Sequence, residues 1–352
     1  MQIQYSLLNL MIKDMKKQSP LYRPTTFWEY GSELIINELK NDKVENFRSL
    51  QTNRNFFVPC YSFADYYENK GKYTELVEAY KKLSPDIRTH TKLERLFSGR
   101  LQAIDDYRTL VASNIDILPY TDKVSESTIG NPIEQFEFGD RKFSRSFLNY
   151  LLGLNFLKQT VDTSGIKTVM EIGGGFGSLG EILLQDTRND AFYINADIPP
   201  VGFFSSHYLK TLLGKDKVAD YEDLHTLKKL DIDELKQQYS VLNICSWQVP
   251  LLKGTIDLFV NFISFQEMEP NVVQNYCNYI DKLKPKYILL RNMLEGKRIK
   301  SDDYLAGVIE PILGDDYNAF LPNYRLIAAD SEVFGFVTED NFHSQLRIYK
   351  RV

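Results

Sequence analysis

The chain has 352 residues, room for two domains, and its 43% hydrophobic and 25% charged residues are an ordinary globular balance that can bury a sizeable core. A formal charge of −5 supplies no positive field for DNA or RNA, so nucleic acid is not expected as a partner. No apolar run approaches the roughly 18 residues that span a bilayer, and Cys60, Cys245 and Cys277 are too scattered for a disulfide framework or a zinc site, so the expected address is the cytoplasm.

The opening "MQIQYSLLNLMIKDMKK" lacks the basic start and small-residue cleavage site of a secretory signal and reads as an amphipathic first helix. From Thr26 to about Val111 the pattern is helical. "FWEYGSELIINEL", "SFADYYENKGKYTELVEAYKKL" and "KLERLFSGRLQAIDDYRTLV" carry apolar residues at three- and four-residue spacing. Pro20, Pro24, Pro59 and Pro85 fall at plausible boundaries. A connecting region rich in Ser, Thr, Gly and Pro follows, with a turn expected at Gly130-Asn131-Pro132. A further helix is expected over Ser144 to Thr160. This divides the chain into a helical N-terminal domain with its connecting segment, 1–140, and a second domain, 141–352.

From Lys167 the rhythm changes to strand, helix, strand. Strands are expected at "KTVMEI", "AFYINAD", "SVLNICS", "IDLFVNFIS", "KYILLRN", "YRLIAAD" and "SQLRIYK", most of them separated by helical patterns. Such alternation predicts an α/β fold, a Rossmann-like, mostly parallel sheet of seven strands covered on both faces. The last two strands have no room for a helix between them and predict an antiparallel pair at one edge.

In "KTVMEIGGGFGSLGEILLQ" three consecutive glycines, and a fourth two residues on, separate a strand from a helix. Glycine there costs conformational entropy, so the backbone at Gly173, Gly174, Gly175 and Gly177 is expected to turn sharply and approach a ligand. The turn lies at the carboxyl edge of the sheet, where ligands of such folds bind, with the next helix's N-terminus at Ser178 beside it. A dinucleotide fingerprint would require glycine at Ser178. Glu171 ends the strand with a carboxylate, suited to a cationic ammonium or to organising the loop, and expected to repel a pyrophosphate. Asp197, twenty residues after Gly177 in "YINADIPP", ends the second strand beside Ile198. Its carboxylate can accept two hydrogen bonds from a ribose diol, each worth about 1.5–3 kcal/mol when charge-assisted. Glycine turn, preceding acid and ribose acid together point to S-adenosylmethionine (SAM) as cofactor. A nicotinamide oxidoreductase is the rival reading.

"MEIGGGFGSLGEILL", "YINADIPP", the earlier "GNP" and above all "FVNFISFQEM" resemble a family of sugar O-methyltransferases found in bacterial surface-polysaccharide gene clusters, a branch of the SAM-dependent class I methyltransferases. The resemblance runs from about Gly130 to Met293, and "FWEY" fits it more vaguely. It implies the seven-stranded sheet, SAM as methyl donor, and a sugar, nucleotide-sugar or glycan hydroxyl as acceptor, for polysaccharide or capsule biosynthesis. Another small-molecule acceptor is the alternative.

A sugar hydroxyl needs alignment and deprotonation, and a positioned base contributes about 10²–10⁴-fold. Asn261 to Ser264 would end the fourth strand facing the methyl group, with Asn261 counted among the cofactor contacts. Glu267 in the next turn is the first candidate base, its alternative role being a helix cap. His207 is the second candidate, or else a structural histidine. Gln266 is expected to orient the sugar, with Asn131 from the Gly130 segment as a further acceptor contact. Ser246 and Trp247 are expected at the adenine pocket, and Arg145 or Tyr150 at the SAM carboxylate. No His/Asp/Glu cluster has metal spacing, so no metal is expected, though carboxylates near Asp197 and Glu267 leave a divalent ion open. Homo-oligomerisation is left open as well.

Overall fold

The computed structural model describes residues 5–84, 86–338 and 341–352; residues 1–4 of the expected first helix, and Pro85, lie outside them. Six helices come first: α1 (Ser6–Met15), α2 (Thr26–Leu39), α3 (Gln51–Phe56), α4 (Lys70–Leu83), α5 (Ile87–Phe97) and α6 (Arg100–Ser113). α2 buries Phe27, Trp28, Ile35 and Leu39, an apolar stripe at helical spacing. Two expected helices differ from the reading. The stretch from Ser62 becomes helical only at Lys70. The run Lys92 to Val111 is broken at Gly99, which sits at φ +74° and where a Cβ would lie 2.4 Å from the Ser62 nitrogen, two reasons for glycine there.

The connecting region is more structured than a loop. It holds a hairpin of β1 (Phe136–Phe138) and β2 (Arg141–Phe143). Glu126 in this region forms a fully buried ion pair of 2.5 Å with Arg48 and also accepts hydrogen bonds from the Ser144 backbone N–H and hydroxyl. α7 (Arg145–Thr160) follows, its Ser144 cap accepting from the Phe147 N–H. Every residue from Phe147 to Lys158 is buried, as expected of a helix covered all round.

The strands follow in chain order. β3 (Thr168–Ile172), α8 (Ser178–Gln185), β4 (Phe192–Asp197) and α9 (Val201–Leu213) lead to β5 (Val218–Ala219), α10 (Tyr221–Leu224), β6 (Leu230–Asp231), α11 (Ile232–Leu235) and β7 (Val241–Cys245). Then come β8 (Leu252–Lys253), β9 (Leu258–Phe262), α12 (Pro270–Leu283), β10 (Tyr287–Met293), α13 (Asp316–Phe320), β11 (Tyr324–Asp330), β12 (Phe336–Val337) and β13 (His343–Arg351). β6 and β8 form a separate parallel pair. The main sheet has nine strands, where the sequence reading expected seven: the order is β11-β13-β10-β9-β3-β4-β7-β5, with β12 alongside β13. The two additional strands are two-residue pieces, β5 and β12. The last two expected strands, β11 and β13, are the expected antiparallel pair at one edge of the sheet. β13 runs antiparallel between β10 and β11, so the edge itself is β11.

Alternate residues of each strand feed opposite faces of the sheet. Val169, Tyr193, Val241, Leu258 and Leu289 pack with α7, α8, α9 and with Leu8, Met11, Phe27 and Trp28 of the N-terminal helices in one core. Met170, Ile194, Leu242, Phe259 and Ile288 pack in the second core against α12. The chain leaves β3 toward β4 on one side and returns to β9 on the other, so the carboxyl ends of β3 and β9 meet at the point where the order reverses.

Candidate functional site

A cavity of about 210 Å³ opens at that point. Its floor is the turn Ile172–Phe176, with Asp197, Ile198 and Ser246 to one side and Phe262–Ser264 and Glu267 to the other. α7 contributes Asn149 and Tyr150, and the N-terminal region closes over it with Arg23–Thr25, Trp28, Arg54–Phe57 and Pro59.

The three consecutive glycines have different reasons to be glycine. A Cβ on Gly173 would lie 2.1 Å from the Ser264 hydroxyl, and one on Gly174 would strike Asn195, Glu171 and Tyr193 at 2.5–2.8 Å. These two positions are bare because the protein's own side chains crowd them. Gly175, at φ +60°, is different: its Cβ would meet nothing nearer than the Phe57 carbonyl oxygen at 3.8 Å. Of the three, it alone offers unobstructed main chain to the cavity. Gly177 does not line the cavity; it caps α8, where a Cβ would press on Leu209 at 3.0 Å. The sequence reading had all four approaching a ligand.

Asp197 is clasped to this turn. Its Oδ2 accepts the Gly175 N–H at 3.1 Å and its Oδ1 the Ile198 N–H at 2.7 Å. Burial pushes its carboxyl up to about 8; the two backbone donors lower it in part, while the charges of Glu171 and Glu267 raise it further. A ligand bringing hydroxyl donors to this group would favour its ionised form.

Glu171 requires a correction. It does not face the cavity but lies fully buried beneath the turn, accepting from the Tyr150 hydroxyl and the Tyr193 hydroxyl at 2.7 Å each. Burial pushes it up to about 7 against the pull of those two donors. From there it is placed to organise the loop, the second of the two expected roles, and it does not line the cavity. Tyr150 does line the cavity, stacked on Phe262 at 4.8 Å. Arg145 does not; its guanidinium donates to the Cys60 carbonyl at 2.9 Å.

On the opposite wall Glu267 lines the cavity and is buried. It caps no helix. Its Oε2 accepts the Trp28 indole N–H at 3.0 Å, its Oε1 accepts from Lys297 Nζ at 3.2 Å, and its backbone carbonyl accepts from the Thr25 hydroxyl. Burial raises its pKa above the ordinary carboxylate range, with the Lys297 charge and both side-chain donors opposing. Beside it Ile263 stands at φ +73°, ψ −39°, a strained conformation for a β-branched residue. The turn is pinned from below: Asn261 donates to the Ile172 carbonyl and to Ser264, Asn292 donates to Asn261, and Gln266 accepts the Met293 N–H.

That network corrects two further expectations. Asn261 and Gln266 do not line the cavity; they hold the shape of the turn that does. Ser246 lines it, donating to the Tyr22 carbonyl at 2.8 Å. Trp247 points away and donates to the Tyr221 hydroxyl at 3.2 Å. His207 lies in the middle of α9, off the cavity, where burial lowers its pKa and the nearby Glu45 opposes that. Asn131 donates to Asn46 at 2.7 Å, and the Gly130 carbonyl accepts the Arg48 N–H, so this segment braces the N-terminal helices and does not close the cavity. Sequence reasoning missed Trp28, Lys297 and Arg54, while Ile263 lies within the Asn261–Ser264 stretch it had placed at the site. Only "FWEY" had drawn notice, as a vague family likeness.

No known protein-family description matches the chain, and no curated protein matches it. Among solved structures it is similar to the magnesium protoporphyrin IX methyltransferase of Synechocystis PCC 6803 with bound SAH, at 10% identity over 58% of this chain and 82% of that one, TM-score 0.39. It is similar to the mitomycin 7-O-methyltransferase MmcR at 11% identity over 95% and 76%, TM-score 0.36. A SAM-dependent methyltransferase from Aquifex aeolicus is similar at 13% identity over 56% and 88%, TM-score 0.32.

Proposed function

We propose that this chain is a SAM-dependent O-methyltransferase whose acceptor is the hydroxyl of a sugar, as a nucleotide sugar or a surface glycan. One observation carries the reading: the Asp197–Gly175 clasp and the buried carboxylate of Glu267 line the same cavity at the point where strand order reverses. Asp197 suits a ribose diol, Gly175 leaves main chain open beside it, and Ile198 and Ser246 bound the same side. When bound, SAM would supply an electrophilic methyl group on its sulfonium.

Glu267 is the general base of this reading. Its carboxylate takes the proton of the acceptor hydroxyl, while Trp28 and Lys297 hold it in one orientation. Burial brings its pKa up from the ordinary range, toward the pH at which a base is most effective. Residues 1–140 then serve as the acceptor-side cover and 141–352 as the donor domain, and the protein works in the cytoplasm.

The test is calorimetry with SAM, S-adenosylhomocysteine and NAD, followed by turnover on a panel of nucleotide sugars. The first two ligands are expected to bind and NAD is not. Binding of NAD alone would convert the assignment to an oxidoreductase. A second acceptor class, a flat aromatic hydroxyl, is favoured by the aromatic wall of Trp28, Phe56, Phe57 and Tyr276, and phenolic acceptors belong in the same panel.

A further inference from the structure

The cavity has a cationic feature that neither methyl donation nor the base accounts for. Arg54, from α3, lines the wall supplied by the N-terminal region. Its side chain is only 7% exposed, and its Nε is buried with no hydrogen-bond partner among the described residues. A buried donor without a partner is costly and marks a place where an acceptor is missing. One terminal nitrogen donates to Glu68, and the guanidinium lies over the Tyr67 ring. Arg23 lines the same wall, more exposed, its Nε donating to the Gln18 carbonyl at 2.6 Å. Phe56, Phe57, Pro24 and Pro59 surround these groups with apolar surface, which strengthens any charge–charge interaction made there.

The carboxylates on the cavity do not answer these arginines. Asp197 is clasped to the glycine turn, and Glu267 is already held by Trp28 and Lys297. We propose that Arg54, assisted by Arg23, forms an anion subsite for a phosphate or carboxylate carried by the methyl acceptor. The guanidinium fork suits such planar or tetrahedral oxyanions. The acceptor is thus a phosphorylated or acidic sugar. Glu68 is the stand-in counter-ion that the acceptor's anion displaces or shares. The assignment of the anion to an acceptor rests on the methyltransferase reading; the subsite itself does not.

Thermal denaturation of the full chain at constant ionic strength, with and without saturating S-adenosylhomocysteine, tests it with three probes: pyrophosphate, glucuronate and neutral methyl glucoside. Pyrophosphate or glucuronate is expected to raise Tm with concentration, and methyl glucoside is not; the stronger of the two anions names the source. Arg54→Gln should weaken the anion at least about tenfold, the scale of one charge-assisted hydrogen bond. Arg54→Lys should keep part of the affinity, and Glu68→Gln should increase it. Calorimetry of S-adenosylhomocysteine should be unchanged in all three variants. Absence of a shift with both anions, or a shift that survives Arg54→Gln, overturns the subsite. So does a parallel loss of S-adenosylhomocysteine affinity, which would assign Arg54 to the donor's own carboxylate. An anion shift in a protein that binds neither SAM nor its product would leave the subsite standing and remove the methyltransferase reading alone.

Discussion

The two walls of the cavity are built differently. The wall of Gly175 and Asp197 comes from neighbouring parallel strands, and these two residues lie only 22 positions apart. Asp197 accepts from two backbone N–H groups, and Glu171 beneath accepts from the Tyr150 and Tyr193 hydroxyls. In the wall of Glu267, Trp28 and Arg54, Trp28 and Glu267 are joined by their side chains across 239 positions, and the Arg54 Nε has no partner among the described residues. A cofactor site that many chemistries share can be rigid and local. On the proposed reading the first wall holds the donor, and the second, which the N-terminal helices help to build, holds the acceptor.

Substitutions can break that contrast one wall at a time. The largest effect is expected from Glu267→Gln, which should reduce kcat by about 10²–10⁴-fold and leave SAM affinity intact in calorimetry. The acid limb of its pH–rate profile should lie above the ordinary carboxylate range in the native protein, because burial raises this group, and should vanish in the variant. Asp197→Ala comes next. It removes acceptors for two hydroxyls at about 1.5–3 kcal/mol each, so SAM should bind at least about a hundredfold more weakly. A donor affinity left unchanged would detach Asp197 from the ribose.

Trp28→Phe tests the other wall. It removes one hydrogen bond to the ionised Glu267, about 1.5–3 kcal/mol, and should lower kcat about ten- to a hundredfold with SAM affinity unaltered. The smallest effect is protonic. Asp197 titrates near 3.8 in the unfolded chain and about 8 in the native protein. Between those values the native state holds a proton that the unfolded chain has lost. Its contribution therefore favours folding at the acid end and disappears as pH rises toward 8. A ligand that donates hydroxyls to this carboxylate should expel up to about one proton on binding within that window. Calorimetry in buffers of different ionisation heat measures that release, and Asp197→Asn should abolish it.

The sequence announced the strand-built wall because its signals are local. Each of the seven expected segments is a strand, since short, largely apolar runs bounded by turns leave little choice, and Asp197 could be found by counting from the glycines. The two-residue strands β5 and β12 carry no such pattern. Glu171 was located correctly on the chain, and of its two expected roles only the organising of the loop matches its direction. Whether an acid at a strand end looks up to a ligand or down to two tyrosines depends on Tyr150 and Tyr193, which pattern does not link to it. His207 and Trp247 attracted attention by residue type, yet the packing of α9 and the Tyr221 hydroxyl decided their places. Trp28 and Lys297 converge on Glu267 from the two ends of the fold, a relation that exists only in three dimensions.

Ile263 carries a consequence for laboratory evolution. A β-branched residue at φ +73° forfeits conformational energy that glycine would not. Ile263→Gly should therefore appear among survivors of a heat challenge, raising Tm by a few degrees while slowing turnover, because the cavity would lose its side chain and the turn its stiffness. Selecting this protein for robustness and selecting it for speed would pull that one position in opposite directions.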